Sequence, residues 1–581
     1  MNTKGLIWSL IKYTPGLYSL NLILAVFGWT LFLVPAYVSG AFFDVLNSGS
    51  PEYTTIIQII IILFTGQFVR ILLITVNIPV DVTFKNKVGA LLRTNMLKQI
   101  FAMPAAQALN KSAGEAITSF REDVDDTVTF PGYSSLLDVI GAAVFSLAAF
   151  VIMLRIDVMI TLIVVIPLII IMTILHITGK RIVKYRVNSR HSTDAITGFI
   201  GDMFSSVQTI QLTGSEKHVL ARFAKLSKVR HKFMVKEAVY TSFLNSIFTN
   251  IVDIGAGVIL LLAANSIRNG NFTIGDFAVF TYYLTWISQL IKRFGSLSAQ
   301  YRQVNVSVER LQSLIQEKMA DKLVSHNESI MDDQLPEYKS SATNRDRLKK
   351  FTVNDVTFTY PQSNKGLKNI SFELERGSVT VLTGKVGSGK STLLKTVVGH
   401  LPLTSGSIKW NECEITNNDN KFESSYFSYA PQLPVLFSES LKENILLGCQ
   451  ATNEQLHRVI DITELNGDIQ NFKDGIDTVV GPRGASISGG QKKRTSLARM
   501  LLRDMELLVM DDPTAGLDLN TELRVWNNIV EMRGTKTILV SSHRPYVLQH
   551  ADHIIVLENG EIIEQGKSEQ VLEWMKNNQY L

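Results

Sequence analysis

Cysteine is nearly missing from this chain of 581 residues, which has only Cys413 and Cys449. That excludes a disulfide framework and a cysteine-rich metal site, and fits a reducing cytosol around the segment carrying them. An excess of one charge is missing too. The 57 Lys+Arg and 52 Asp+Glu leave a net +5 spread along the chain, which gives no case for nucleic acid binding. The opening Met1-Asn2-Thr3-Lys4-Gly5-Leu6 lacks a signal-peptide cleavage pattern, so the first long apolar run is expected to be retained. Length alone asks for at least two domains. Residues 1–315 are rich in apolar runs, 316–350 read as a polar linker, and 351–581 read as an ordinary soluble α/β sequence.

A helix that crosses a bilayer needs about 20 mostly apolar residues. Six stretches qualify: Leu17–Phe43, Ile56–Ile78, Leu136–Leu154, Val158–Ile177, Phe243–Ile267 and Phe277–Ile291. The connection Asn47-Ser48-Gly49-Ser50-Pro51-Glu52 has no basic residue, Arg155-Ile156-Asp157 has one, and Asn265–Phe272 has only Arg268. The other two connections are long and basic, with Lys85, Lys87, Arg93, Lys98, Lys111 and Arg121 in one and Lys180 through Lys236 in the other. Basic loops stay on the cytosolic side, so those connections, the N-terminus and everything after the sixth span are expected there. Their mixed pattern predicts membrane helices that continue into the cytosol, turning at Asn110-Lys111-Ser112-Ala113-Gly114-Glu115 and at Gln211-Leu212-Thr213-Gly214-Ser215-Glu216. Those turns suit either docking on another domain or plain solvation. Within the spans lie Gln67, Arg70, Asn77, Asp138, Asn245, Asn250, Asp253 and Gln289. Such groups line a substrate path or pair structurally, Arg70 with Asp138 or Asp253.

The soluble half turns on Gly384-Lys385-Val386-Gly387-Ser388-Gly389-Lys390-Ser391-Thr392, which fits the phosphate-cradling pattern G-x-x-x-x-G-K-[ST]. It follows the strand-like Val379-Thr380-Val381-Leu382 and precedes the helical Leu393-Leu394-Lys395-Thr396-Val397-Val398, the context the motif requires. Glycines let backbone N–H groups face polyphosphate oxygens, and the helix N-terminus adds its positive end. Lys390 brings a point charge to the β/γ-phosphates, and the Ser391 hydroxyl can ligand Mg²⁺. The strand Glu506–Asp512 ends in two carboxylates, and Asp511 takes the Mg²⁺ role. Another apolar strand, Thr537–His543, delivers His543 to its carboxyl end, where open α/β sheets put ligands.

These residues carry a resemblance. The soluble half resembles the nucleotide-binding domain of ATP-binding cassette transporters, and nearly the whole chain looks like an exporter-type half-transporter. Ile487-Ser488-Gly489-Gly490-Gln491 resembles the signature motif, Pro431-Gln432 the Q-loop, and Asp511-Asp512-Pro513-Thr514-Ala515-Gly516-Leu517-Asp518 the Walker B and D-loop run. Val435–Ile445, Ser112–Glu115 and Gly270–Asp276 are similar to exporter patterns. The implied fold is an all-α six-helix transmembrane domain followed by an α/β P-loop NTPase domain. The implied cofactors are ATP and Mg²⁺, with Ser391, Gln432 and Asp511 at the metal, Tyr360 on adenine, and Asp512, His543 and Gln432 in catalysis. Ser488, Gly489, Gly490 and Gln491 would touch nucleotide held by a partner chain in a dimer. The expected location is the bacterial plasma membrane, with the nucleotide domain in the cytoplasm.

Two positions depart from the family pattern. Exporters usually have glutamate at the base position, where this chain has Asp512, and at the position of Pro482. A misplacement of about 1 Å can cost on the order of 10²-fold in rate. The shorter base, beside otherwise intact motifs, favours the weakly hydrolysing half of a heterodimer over a slow homodimer in which a water restores the geometry. An ATP-gated regulator or channel with little hydrolysis is the alternative. The transported molecule is left open, since drugs, lipids, peptides and siderophores all fit.

Overall fold

The structure is a computed structural model that describes residues 2–47, 53–103, 113–268, 272–315, 317–326, 347–360, 363, 365–415, 427–481, 484 and 486–580. The chain divides into two compact units, residues 1–97 with 111–334, and 98–110 with 335–581.

The first unit is helical. Its helices are Thr3–Tyr13, Pro15–Thr30, Leu33–Asn47, Tyr53–Ala102 as far as Leu97, short turns from Ala113 to Leu137, Asp138–Ile156, Val158–Ser205, Val207–Thr213, Glu216–Arg268 and Ile274–Leu314. Local chemistry sets the breaks. Pro15, whose ring fixes φ and whose missing N–H is harmless at a helix start, opens the second helix. Asp157 accepts from the Ile160 N–H and so caps Val158–Ser205. Thr273 and Asp276 form a reciprocal capping box for Ile274–Leu314. Helix Val207–Thr213 ends on Gly214 with φ +62°, inside one of the two turns read from sequence. In the other turn, Asn110-Lys111-Ser112 lies outside the described residues, as do 48–52, 270–271 and 327–346.

All six apolar stretches lie on helices. Among the described residues, Pro15–Asn47, Tyr53–Ala102 and Gly114–Ile156 are long and apolar enough to cross a membrane. The first is not one continuous helix, as the apolar run alone suggested. It breaks at Leu31-Phe32, and the next helix starts at Leu33 with Pro35 in its first turn, where no intrahelical N–H is needed. Helices of 50, 48, 53 and 41 residues run from Tyr53, Val158, Glu216 and Ile274, well beyond the about 20 that a bilayer needs.

Aromatics fill the bundle core: Phe32 and Trp286 ring centroids are 4.0 Å apart, and Trp29 meets Trp286 edge-on at 5.9 Å. Small residues let helices touch. A Cβ on Gly275 would lie 2.3 Å from the Gly40 carbonyl oxygen, so these backbones cross directly. The Gly275 N–H donates to Asp44 at 3.0 Å at the same crossing.

The ion pair at Asp138 differs from the pairing expected with Arg70. Asp138 is salt-bridged to Arg293 and also accepts from Trp29 Nε1 at 3.0 Å. Arg70 instead lies 3.6 Å over the Phe32 ring and reaches Gln67 Oε1 at 3.5 Å. Arg293 sits just past the sixth apolar stretch, on a helix that packs against Asp138–Ile156, so it outcompetes Arg70 for the carboxylate. The side chains of Asn245 and Asp253 lie outside the described residues.

The second unit is α/β. Its strands are β1 (Lys350–Thr359), β2 (Gly366–Glu375), β3 (Val379–Thr383), β4 (Ser405–Trp410), β5 (Cys413–Glu414), β6 (Phe427–Ala430), β7 (Leu507–Asp511), β8 (Thr537–Ser541), β9 (His553–Glu558) and β10 (Glu561–Lys567). An antiparallel sheet runs β2-β1-β4-β5, and a six-stranded sheet runs β10-β9-β3-β8-β7-β6. In the larger sheet β9, β3, β8, β7 and β6 are parallel, with β10 an antiparallel edge. Every residue of β3, β7 and β8 is buried, as continuous apolar strands covered on both faces must be. The order β3-β8-β7-β6 matters most. It sets four strand ends side by side at the carboxyl edge, where parallel sheets place ligands.

Candidate nucleotide site

The glycine loop leaves β3 and enters helix Lys390–Val397. Gly384, Gly387 and Gly389 have φ of +134°, +86° and +108°. At Gly384 the need is also steric, because a Cβ there would lie 2.0 Å from the Leu557 carbonyl oxygen. Lys390 Nζ folds over the loop and donates to the carbonyls of Gly384 at 2.7 Å and Lys385 at 3.0 Å. Burial pushes the Lys390 ammonium down, and the Asp511 and Asp512 carboxylates partly offset this. The Ser388 hydroxyl is buried without a partner, an orphan donor inside a cradle that suits phosphate oxygens. Lys385 turns its side chain elsewhere, to Glu558 at 3.0 Å and toward the Tyr580 ring, leaving its backbone to the loop. Val386 is 98% exposed at the loop tip.

Beside the loop, β8 and β7 deliver the acidic and imidazole groups. Asp511 ends β7, and its Oδ1 accepts from Ser541 Oγ at 2.7 Å. Asp512 follows with φ +47°, a left-handed conformation that aspartate tolerates better than most residues. Its N–H donates to the Ser541 carbonyl at 3.2 Å and to Ser541 Oγ at 3.1 Å. His543, two residues past β8, places Nδ1 3.4 Å from Thr383 Oγ1. Burial pushes the His543 imidazole down, Lys390 pushes it further, and Asp512 opposes both. Gln432 is exposed two residues beyond β6, which pairs with β7 through Ala430 and Met510. Ser391, Gln432 and Asp511 offer only oxygen donors with one carboxylate, a set that fits Mg²⁺ shared with nucleotide phosphates.

Tyr360, just past β1, places Oη 3.2 Å from Thr392 Oγ1, so the aromatic stands at the start of the P-loop helix. The signature residues form a helix start of their own. Ser488 caps helix Gly489–Leu502: its Oγ accepts the Gln491 N–H at 3.2 Å, and Gln491 Oε1 accepts the Ser488 N–H at 2.8 Å. Gln491 Nε2 donates to Asp468 at 2.7 Å, and a Cβ on Gly490 would lie 2.9 Å from Leu517. Among the described residues, none of these four hydrogen-bonds the P-loop of its own chain. Pro482 lies outside the described residues.

Sequence reasoning missed three partners here. Ser541 holds both aspartates, Lys493 Nζ donates to the Asp512 carbonyl at 3.3 Å, and Arg544 pairs with Glu522 at 3.0 Å. Ser541 had a signal, since it lies on the strand already read as delivering His543. Lys493 and Glu522 had none that a linear pattern can hold.

Residues 18–291 match the model of the ABC transporter transmembrane region, and residues 367–515 match that of the ABC transporter domain. The chain is 26% identical over 494 residues to the "Probable multidrug resistance ABC transporter ATP-binding/permease protein YheI" of Bacillus subtilis, spanning 84% of this chain and 81% of that one. It is 27% identical over 398 residues to the ATP-dependent lipid A-core flippase of Vibrio vulnificus, spanning 68% and 65% of the two chains. Its fold matches a bacterial Atm1-family ABC exporter solved with ATP bound, with a TM-score of 0.77 and 20% identity over 96% of this chain and 95% of the other. A helical transmembrane region followed by an ATP-binding α/β domain, in that order on one chain, places the protein in the ABC transporter family as an exporter-type transport ATPase.

Proposed function

We propose that the chain is one half of an ATP-driven exporter that works as a dimer in the bacterial plasma membrane, with the nucleotide domain in the cytoplasm. The observation that carries this reading is the carboxyl edge of β3-β8-β7-β6, where the P-loop, His543, the Asp511–Asp512 pair and Gln432 lie on successive strand ends. In this reading the backbone of Gly384, Lys385, Val386, Gly387, Ser388 and Gly389, with Lys390, Ser391 and Thr392, grips the phosphates, and Tyr360 stacks on adenine. Ser391, Asp511 and Gln432 would hold Mg²⁺, which supplies charge neutralisation between the phosphates. Asp512 orients the attacking water, and neutral His543 donates toward the terminal phosphate.

The capped turn Ser488-Gly489-Gly490-Gln491 offers its helix N-terminus to the nucleotide of the second half. ATP affinity for the closed pair is the energy source, and hydrolysis resets it. The short Asp512 carboxylate favours a heterodimer whose second half carries the stronger base. The test is MgATP turnover of the purified chain in liposomes, alone and with a second half-transporter. Weak turnover alone and a marked rise with the partner support the reading. Robust turnover alone overturns the heterodimer, and absence of ATP affinity overturns the function.

A further inference from the structure

The signature turn is tied from outside its own helix by one carboxylate. Asp468, in the short helix Asn466–Asn471, accepts from Gln491 Nε2 at 2.7 Å on one oxygen and pairs with Arg494 at 2.8 Å on the other. The pair is largely buried, the Asp468 and Arg494 side chains being 18% and 12% exposed. Arg494 lies three residues beyond Gln491 on the same face of helix Gly489–Leu502, so a single carboxylate reaches both. Arg494 is held in turn. Its Nη1 donates to the carbonyl of Glu464, which stands in a left-handed turn with φ +56° and bonds Arg524 through its carboxylate at 2.9 Å. The Gln491 amide is used at both ends: its nitrogen meets Asp468, and its oxygen accepts the Ser488 N–H at 2.8 Å. A free amide can turn either end toward that N–H, whereas one whose nitrogen is fixed by a carboxylate presents only oxygen. The N–H groups of Gly489 and Gly490 come next, and the first turn of a helix holds no internal acceptor for them.

We propose that Asp468 is a positioning residue for the signature turn: it sets the Gln491 amide so that its oxygen holds the Ser488 N–H, while Arg494 keeps the carboxylate aimed at Gln491. The turn then meets the nucleotide of the second half already ordered. Donors fixed beforehand need no rearrangement at the moment of reaction. Asp468 acts through Gln491 and not on the nucleotide itself. This inference rests on the reading of Ser488–Gln491 as the turn that faces the partner's nucleotide.

The experiment measures MgATP turnover of the full-length chain in nanodiscs, in whichever assembly turns over, the chain alone or paired with a second half-transporter. TNP-ATP affinity is read beside it. Asp468→Ala is expected to lower kcat about tenfold, the effect of one hydrogen bond to a charged group, with TNP-ATP affinity changed less than about twofold. Asp468→Asn, which still accepts from Gln491, recovers most of that loss. Gln491→Glu sets a second carboxylate against Asp468 and lowers kcat. Adding Asp468→Asn restores turnover, because the asparagine amide donates where aspartate repels. A purely structural role does not give that reciprocal rescue. If Asp468→Ala does not fold, Gln491→Glu and its rescue decide. Unaltered kcat in Asp468→Ala, an Asp468→Asn no faster than Asp468→Ala, or no rescue overturns the inference. Gln491→Ala separates the two failures. If it leaves turnover unaltered, the partner-facing reading of the turn falls; if it slows turnover while Asp468→Ala does not, only the role of Asp468 falls.

Discussion

The Ser541 hydroxyl donates to Asp511 Oδ1 at 2.7 Å, and its oxygen also accepts the Asp512 N–H at 3.1 Å. One side chain on β8 thus orients the carboxylate at the end of β7 and secures the turn carrying the next one. A hydrogen bond to a charged group contributes about 1.5–3 kcal/mol, and about 1.4 kcal/mol is a factor of ten. Ser541→Ala is expected to weaken Mg²⁺ dependence of turnover about tenfold, read from a Mg²⁺ titration at saturating ATP. An unchanged titration would remove Ser541 from the metal edge.

Asp512→Glu lengthens the base by one methylene. Turnover is expected to rise, by on the order of ten- to a hundredfold if position alone limits the step. The left-handed turn is the counterweight, since glutamate adopts it less readily than aspartate. Steady-state kcat of the purified variant decides, and no gain would show that side-chain length is not the limit.

His543 sets the response to acid. Burial and Lys390 hold its imidazole below the ordinary value of 6.5, so the folded chain binds this proton less readily than the unfolded chain. Its contribution to stability is therefore fully present above 6.5 and is lost as pH falls below it. The acid limb of the pH–turnover profile is expected below 6.5 and should vanish in His543→Gln at lower activity. An acid limb centred above that value would contradict the assignment.

Glu522 joins the loops after β7 and β8. Its carboxylate accepts from Thr514 Oγ1 at 2.7 Å and pairs with Arg544 at 3.0 Å, while Trp526 Nε1 donates to Thr514 at 3.0 Å. Glu522 is buried, whereas the Arg544 side chain is 45% exposed, so the ion pair is partly screened. Glu522→Ala is expected to cost about 1–3 kcal/mol, mainly by leaving the buried Thr514 hydroxyl hydrogen without its acceptor. Thermal unfolding of the full chain measures it. A change below about 0.5 kcal/mol, ordinary for a surface site, would contradict the network.

The sequence made the local features readable. Gly384–Thr392 carries its own strand and helix, and β7 and β8 announce themselves as apolar runs ending in Asp511–Asp512 and His543. Lateral order was hidden. That β8 lies between β3 and β7 follows from a pairing with β3 across more than a hundred residues, while the Ser541–Asp511 bond, 30 residues apart, depends on the β7–β8 register that spacing does not give. The same holds for Asp138, whose partner Arg293 lies 155 residues away while Arg70 looked suitable in the linear pattern. The break at Leu31-Phe32 was masked because both flanking helices are apolar. Only Pro35 hinted at it.

The central claim is that ATP draws two nucleotide domains together. Cys413 and Cys449 can be replaced by serine and a spin label placed at exposed Glu573→Cys on helix Ser568–Asn577, with a matching label on the second half. Pulsed electron–electron distances in liposomes, with and without MgATP, then report closure. The account predicts a shorter, narrower distribution with MgATP that Lys390→Met abolishes. Identical distributions at saturating MgATP would contradict it.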